Sequence, residues 1–271
     1  MDLVQPAKTA VNSVLRKFGY YMTKVSEAEE VAVSEEKGAA AHNIPDDFDD
    51  FDRRLWESAA PFTMTWPEGV YSLRRAVEYV IQHEIPGDFV ECGTWKGGSS
   101  MVMAMTLMNL RDTSRNLYLY DTFEGGWPAG GEHDIRSDGV TAHELWLQAV
   151  ANNETPDTLF AKANSVRELM AATGYPEDQI HLVKGKVEDT IPGTAPENIG
   201  LLRVDTDWYD SYLHILTHFY PRLSHRGVLM LDDYTSFLGA KKATDEYFEQ
   251  NKVAMLLHRV DCTGYRIGVK I

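Results

Sequence analysis

The chain has 271 residues, of which 44% are hydrophobic and 11% aromatic, so it can bury a large core in one main domain. Its formal net charge of -15 argues against nucleic-acid binding, because phosphate contacts need clustered Lys and Arg. No apolar run reaches the ~18 residues of a membrane span, and the 2 cysteines cannot form a disulfide framework, so we expect a cytoplasmic protein with no membrane partner.

The N-terminal part of the chain differs in character from the rest. Apolar residues at helical spacing, with Lys and Arg among them, predict a short amphipathic helix within residues 1 to 24. Residues 25 to 52 are rich in Glu, Ala and Asp, which is typical of a flexible linker. We therefore expect a helical appendage and a flexible acidic linker over residues 1–60, followed by the main domain over residues 61–271. The appended helix makes a homo-oligomer the expected state.

The main domain, residues 61–271, is predicted to be an α/β fold. Short apolar strands alternate with helical segments there, a pattern typical of parallel βαβ units. A final pair of segments around a Thr263-Gly264 turn predicts a hairpin that closes the sheet edge. Residues 125 to 169 interrupt the alternation, and we interpret this insertion as a lid, since long insertions commonly cover a site. The predicted strands are Asp88–Cys92, Leu117–Tyr120, Ile180–Lys184, Gly200–Val204 and Val228–Leu231.

The first strand ends at Glu91 and Cys92 and continues into a glycine-rich turn over residues 93–98. In open α/β sheets, ligands bind at the carboxyl ends of strands. The glycine spacing differs from that of a dinucleotide-binding turn, and Glu91 would repel phosphate but suit an ammonium or sulfonium group. With Asp121 placed to accept hydrogen bonds from ribose hydroxyls, the pattern favours S-adenosylmethionine. Alternatively, the glycines only allow close helix packing and Asp121 caps a helix.

Two further strands of the predicted sheet both end in acidic residues. Asp205 and Asp207 follow one apolar strand. Asp232 and Asp233 follow the next. Four carboxylates at one sheet end repel each other unless a cation neutralises them or some take up protons, and Mg²⁺ prefers such oxygen ligands. A bound metal would lower the pKa of a substrate hydroxyl and leave a nearby carboxylate to take its proton. Alternatively, these acids cap the helices that follow.

Taken in order along the chain, these motifs resemble the macrocin O-methyltransferase (TylF/MycF) family of S-adenosylmethionine-dependent sugar O-methyltransferases. The resemblance extends from about residue 61 to the end of the chain. It implies a Rossmann-like class I methyltransferase fold with a mostly parallel seven-stranded sheet and an antiparallel C-terminal strand, carrying the N-terminal helical appendage. The stretches that carry the resemblance are residues 86–93, 97–99, 118–125, 187–190, 202–209, 220–223 and 231–234.

The resemblance also implies roles for individual residues. It implies a Mg²⁺ site at Asp205, Asp232 and Asp233, and a general base at Asp207. The chain departs from the family pattern near the expected substrate side, at residues 211–212, so the acceptor is left open. The residues expected to bind the S-adenosylmethionine cofactor are Thr63, Met64, Glu91, Gly93, Ser99, Asp121 and Val187.

We therefore expect a Mg²⁺-dependent, S-adenosylmethionine-dependent O-methyltransferase that acts on a hydroxyl of a sugar or glycosylated natural product. Two alternatives stay open: a catechol-type O-methyltransferase for an aromatic diol, and a non-catalytic cofactor-binding protein of the same fold. A nicotinamide-dependent oxidoreductase is disfavoured by the glycine spacing and by Glu91. The expected partner is a small-molecule glycoside or sugar acceptor, with no nucleic acid and no membrane.

Overall fold

A computed structural model describes residues 44–124, 130–151 and 161–271 of the chain. The helix predicted within residues 1 to 24 and most of the predicted linker lie outside these residues, so the homo-oligomer expected from that helix stays a prediction. The elements in chain order are α1 Asp50–Ala59, α2 Pro67–Gln82, β1 Asp88–Cys92, α3 Gly98–Leu110, β2 Leu117–Asp121, α4 Ala142–Ala151, α5 Ala163–Ala172, β3 Ile180–Lys184, α6 Val187–Thr190, β4 Ile199–Val204, α7 Tyr209–Phe219, β5 Leu223–Leu231, α8 Leu238–Gln250, β6 His258–Arg259 and β7 Arg266–Val269.

The strands form one 7-stranded sheet in the order β3-β2-β1-β4-β5-β7-β6. The first five strands in this order pair in parallel, whereas β7 pairs antiparallel with both β5 and β6. This confirms the predicted sheet, including its antiparallel C-terminal strand. The strand order reverses between β1 and β4, and in such sheets ligands bind at the carboxyl ends of the strands beside the reversal.

The central strands are buried on both faces, which is why their sequences are continuous apolar runs. Every residue of β4 is buried, and successive side chains pack into opposite cores. Leu201 belongs to the core beneath α2 and α3, whereas Leu202 belongs to the core beneath α7 and α8. Each such leucine contributes about 1.5–3 kcal/mol through burial. The next residue on the Leu201 face is Arg203, a charged side chain in a buried position.

Helix α1 shows where the linker prediction is wrong. Asp49 accepts hydrogen bonds from the amides of Phe51 and Asp52, and the Asp52 side chain accepts one from the Asp49 amide. This capping box starts a helix whose Leu55 and Trp56 are buried against the core. Acidic residues at a helix N-terminus interact favourably with the helix dipole, so the acidic run is a helix start. The division of the chain at residue 60 stays a prediction.

Candidate active site

A cavity of about 1200 Å³ opens at the carboxyl ends of β1, β2, β4 and β5. Ligand pockets commonly measure about 300–1,000 Å³, so this cavity has room for a cofactor together with an acceptor. The structure brings all the predicted site residues into its lining. These are Thr63, Met64, Glu91, Gly93, Ser99, Asp121, Val187, Asp205, Asp207, Asp232 and Asp233.

The glycine turn after β1 is shaped by close approaches of the backbone. Gly93 has a φ of 88°, and a Cβ atom there would lie 1.7 Å from the carbonyl oxygen of Asp205. A Cβ atom on Gly98 would lie 2.6 Å from the carbonyl oxygen of Phe62. The glycines therefore allow close approach of backbone segments, and this packing brings the Asp205 backbone and the residue before Thr63 to the cavity.

Asp121, at the end of β2, holds two turns rather than capping a helix. Its Oδ2 atom accepts a hydrogen bond from the Trp95 amide at 2.8 Å, and its Oδ1 atom accepts one from the Phe123 amide at 2.8 Å. Burial raises the pKa of the Asp121 carboxyl, and the amide hydrogen bonds oppose this shift. Each carboxylate oxygen has two lone pairs, so Asp121 keeps acceptor capacity for ligand hydroxyls.

Arg203 is the functional residue that the sequence analysis missed. Its side chain is 1% exposed and lies among the acids of the cavity wall. The Nη1 atom donates to Glu91 Oε1 at 2.9 Å and to Asp205 Oδ2 at 2.5 Å. The Nη2 atom donates to Asp232 Oδ1 at 2.6 Å and to the Thr65 hydroxyl at 2.8 Å. Although burial alone would lower the pKa of Arg203, the surrounding carboxylates raise it well above its ordinary value.

Glu91 is more deeply buried than its position at the end of a strand predicts. Its side chain is 1% exposed, and its carboxylate receives hydrogen bonds from Arg203 and from the Ser100 hydroxyl. Burial raises the pKa of Glu91 to about 7, while the positive charge of Arg203 opposes the shift. Glu91 lines the cavity wall, and its contact with a cofactor stays a prediction.

Asp205, Asp232 and Asp233 form a compact set of carboxylates at the ends of β4 and β5. Each offers one oxygen, and these oxygens all lie within 4.8 Å of one another. Burial and the charge of Asp205 raise the pKa of Asp232 to about 8. Burial and the charge of Asp207 raise the pKa of Asp233 well above its ordinary value. The raised pKa values of Asp232 and Asp233 mean that these carboxyls hold protons when no cation is bound, because Arg203 alone does not balance the charge of the ionised set. The hard oxygen donors of the set fit a divalent cation such as Mg²⁺.

The alternative that these acids cap helices is wrong, because the N-cap positions of α7 and α8 are Trp208 and Phe237. The strand ends at Val204, and the backbone is not extended at Asp207. Its φ is 65°, in the left-handed region, and its amide donates to Asp233 Oδ2 at 3.1 Å. This turn of the backbone places Asp207 in the cavity lining beside the carboxylate set.

The strand order, the antiparallel β7 and the cavity at the β1–β4 reversal define a Rossmann-like class I methyltransferase fold, as predicted. The family model of macrocin O-methyltransferase (TylF) matches residues 7–266, so the chain belongs to this family. It is an O-methyltransferase, which confirms the predicted enzyme class.

Several known proteins are similar to the chain. The 8-demethyl-8-(2,3-dimethoxy-alpha-L-rhamnosyl)-tetracenomycin-C 4'-O-methyltransferase of Streptomyces olivaceus is 30% identical over 78% of this chain and 76% of its own length. The mycinamicin III 3''-O-methyltransferase of Micromonospora griseorubida is 28% identical over 74% of this chain and 76% of its own length. The solved structure of the O-methyltransferase NovP superimposes with a TM-score of 0.67 at 28% identity, covering 77% of this chain and 82% of that chain.

A more distant structure, the calicheamicin methyltransferase CalS11, shares the fold with a TM-score of 0.57 at 16% identity, covering 91% of this chain and 94% of that chain. Within the part of the chain that the structure describes, no helix combines the length and the apolar character needed to cross a membrane. The cytoplasmic location stays a prediction.

Proposed function

We propose that the enzyme transfers a methyl group from S-adenosylmethionine to a hydroxyl of a sugar or glycosylated natural product, with Mg²⁺ held by Asp205, Asp232 and Asp233. The observation that carries this proposal is the compact carboxylate set, in which Asp232 and Asp233 have raised pKa values, beside a large cavity in a chain of this family. The relative from Streptomyces olivaceus supports the acceptor class, since it is named for a rhamnosyl tetracenomycin.

On the cofactor side, the chain offers polar and apolar surfaces suited to a nucleoside. S-adenosylmethionine, when bound, supplies an electrophilic methyl group on a positively charged sulfur. Asp121 keeps lone pairs for ribose hydroxyls, because each of its oxygens accepts one amide hydrogen bond. The side chain of Met64 is 63% exposed in the cavity lining, so covering a cofactor would bury apolar surface. The paired side chains of Glu91 and Arg203 contribute charged groups to the wall of the same cavity.

On the acceptor side, Asp207 is the general base of the proposed reaction. Mg²⁺, when bound, supplies positive charge that orients acceptor oxygens and lowers the pKa of the reacting hydroxyl. The Asp207 carboxylate takes the hydroxyl proton. The hydrogen bond that the Asp207 backbone amide donates to Asp233 keeps this residue beside the metal ligands. The acceptor oxygen then forms a bond to the methyl carbon, and the bonding electron pair of the methyl–sulfur bond leaves with the sulfur as a neutral thioether.

Most of the rate enhancement expected here comes from positioning and charge stabilisation. A catechol-type acceptor uses the same metal chemistry, so the geometry of the carboxylates alone does not separate the two acceptor classes. The sugar acceptor is preferred because the relative from Streptomyces olivaceus is named for a rhamnosyl tetracenomycin.

The proposal is tested with EDTA-stripped protein, S-adenosylmethionine and a panel of glycosides and catechols, with and without added Mg²⁺. We expect methyl transfer to a glycoside only when Mg²⁺ is present. Asp207→Asn should lower kcat by about 10²–10⁴-fold while binding of the cofactor and of Mg²⁺ is retained. Asp245→Asn, an exposed aspartate on α8, is the matched control and should keep wild-type activity.

Three results would each contradict part of the proposal. Turnover that persists after complete removal of divalent cations would remove the metal role. An Asp207→Asn variant as active as Asp245→Asn would remove the assignment of the base. Methylation of catechols in preference to every glycoside would replace the sugar acceptor with an aromatic one.

A further inference from the structure

Asp134 is a buried carboxylate of the cavity lining that the proposed chemistry does not use. It lies in the segment 130–142, which precedes α4, and it is 3% exposed. Its Oδ1 atom accepts a hydrogen bond from the Tyr209 amide at 2.7 Å. Its Oδ2 atom accepts one from the Gly131 amide at 2.6 Å. One carboxylate therefore joins the 130–142 segment to the start of α7.

The Tyr209 amide is the first N–H group of α7, and such groups have no partner within their own helix. The N-cap residue, Trp208, supplies no side-chain hydrogen bond to the helix. Asp134 thus performs from a distant part of the chain the function that an N-cap aspartate performs locally. Its negative charge also interacts favourably with the dipole of this 11-residue helix.

The backbone that carries Asp207 is held from both sides by carboxylates. Before the helix, the Asp207 amide donates to Asp233. Two residues later, the Tyr209 amide donates to Asp134. Asp207 has a left-handed φ of 65°, a conformation that is unfavourable in a residue other than glycine and persists only where the surroundings fix it. The hydrogen bond from Tyr209 to Asp134 is one of the contacts that fix it.

The first turn of α8 is built around the same contact. A Cβ atom on Gly239 would lie 2.2 Å from Asp134 Oδ1 and 3.1 Å from the Tyr209 amide nitrogen. The 130–142 segment is attached to the residues before α8 as well, since the Ser137 amide donates to the Ser236 carbonyl at 2.9 Å. Asp134 is therefore enclosed by the segment, α7 and α8.

We propose that Asp134 is a positioning residue for methyl transfer: by fixing the Tyr209 backbone, it sets the direction of the Asp207 carboxylate toward the acceptor hydroxyl. The inference rests on the proposed function, in which Asp207 is the base. Asp134 does not act on the acceptor itself, because it is only 3% exposed.

Two variants disturb the contact from opposite sides. In Asp134→Asn, one oxygen becomes an NH₂ group, so the side chain cannot accept from both the Tyr209 and the Gly131 amides. Gly239→Ala keeps Asp134 but adds a methyl group against its Oδ1 atom. The matched control is Asp138→Asn, in the same segment, whose side chain is 53% exposed and pairs with Arg136.

The measurement is steady-state kinetics at saturating S-adenosylmethionine and Mg²⁺, with the fraction of competent protein taken from calorimetric cofactor stoichiometry. We expect kcat per cofactor-binding site to fall about tenfold to a hundredfold in Asp134→Asn and Gly239→Ala, because a small displacement of a reacting group has effects of this size. Cofactor and Mg²⁺ affinities should stay within about twofold of wild type, and Asp138→Asn should match wild type. A residue that only stabilises the fold would lower the competent fraction and leave kcat per site unchanged.

Asp207→Asn, measured in parallel, distinguishes the two levels of the account. If it is inactive while Asp134→Asn and Gly239→Ala both match Asp138→Asn per cofactor-binding site, the positioning role is overturned and the proposed function stands. If Asp207→Asn is active, the base assignment fails, and the positioning role fails with it.

Discussion

Networks of arginine and carboxylate side chains occur at two places in the described structure, and their charge balance differs. In the first, between α1 and α2, Arg74 and Arg75 meet Asp49, Asp52 and Glu78. Arg74 Nη1 lies 2.6 Å from an oxygen of each of the two aspartates. The hydrogen bond from Arg74 holds the pKa of Asp49 well below its usual range. This network stabilises the charged form of Asp49 and serves the fold.

At the ends of β4 and β5 the excess of acids over arginines is larger. Arg203 alone is paired with Glu91, Asp205 and Asp232, and Asp233 lies beside them. Burial raises the pKa of Asp232 to about 8, so here the protein stabilises the protonated form. Strongly raised carboxyl pKa values in a cavity make these residues candidates for a functional site, and in the proposed function a bound cation supplies the missing positive charge. The same residue types therefore build a structural network in one place and the proposed metal site in the other.

The largest expected effect on stability comes from removing the central cation. Arg203→Met leaves buried carboxylates without their partner, and we expect the free energy of unfolding to fall by about 3–5 kcal/mol. Arg75→Met, whose side chain is 42% exposed, should cost less than about 1 kcal/mol. Urea unfolding of the two variants measures the difference. Millimolar Mg²⁺ should recover part of the loss in Arg203→Met only, and equal losses in the two variants would contradict the comparison.

A smaller effect of opposite sign is expected from Asp233→Asn. The amide oxygen still accepts the hydrogen bonds of the Tyr212 hydroxyl and the Asp207 amide, while the cost of burying a carboxyl that is ionised in the unfolded chain at neutral pH is removed. We expect the metal-free protein to gain about 1 kcal/mol in stability while methyl transfer is lost, as at other sites where function opposes stability. Asp52→Asn, in the network between α1 and α2, should instead lower stability. Thermal unfolding without divalent cations decides, and a destabilised Asp233→Asn would break the comparison.

The smallest effect is expected at the N-terminus of α1. Asp49→Ala removes the N-cap and should cost about 1 kcal/mol without changing activity. Because the folded-state pKa of Asp49 is depressed, its contribution is present above the unfolded pKa of about 3.9 and is lost as the pH falls through the lower folded value. Urea unfolding at pH 7 and near pH 3 should show the difference from wild type shrinking on acidification. Asp50→Ala is the control, and a difference that does not change with pH would contradict the assignment.

The fold was largely predictable because burial on both faces imposes continuous apolar runs on parallel strands. The predicted and observed bounds coincide for Asp88–Cys92 and Ile180–Lys184. The strand predicted to begin at Val228 begins at Leu223. The prediction started too late because the first half of the strand carries exposed polar residues, which the apolar pattern does not detect. Helix α1 was missed for the opposite reason, since its acidic start has the composition of a linker although it contains a capping box.

The acids of the site were predictable from sheet geometry, since the carboxyl ends of parallel strands meet at one edge. The role of Arg203 was predictable in principle, because a charged residue inside a strand buried on both faces needs a partner. No local pattern predicts the role of Asp134, because its contact with Tyr209 joins residues 75 positions apart. Such a contact depends on how the 130–142 segment packs against α7, which the local sequence does not encode.

The most direct test of the account is a calorimetric titration of Mg²⁺ into the EDTA-stripped wild-type protein and into Asp233→Asn. We expect one Mg²⁺ per wild-type chain. In Asp233→Asn we expect the affinity for Mg²⁺ to fall by at least about tenfold, because changes around a metal site commonly have effects of this size. A wild-type protein that binds no Mg²⁺, or a variant that binds it as tightly as wild type, would contradict the claim that the unbalanced carboxylates hold a divalent cation.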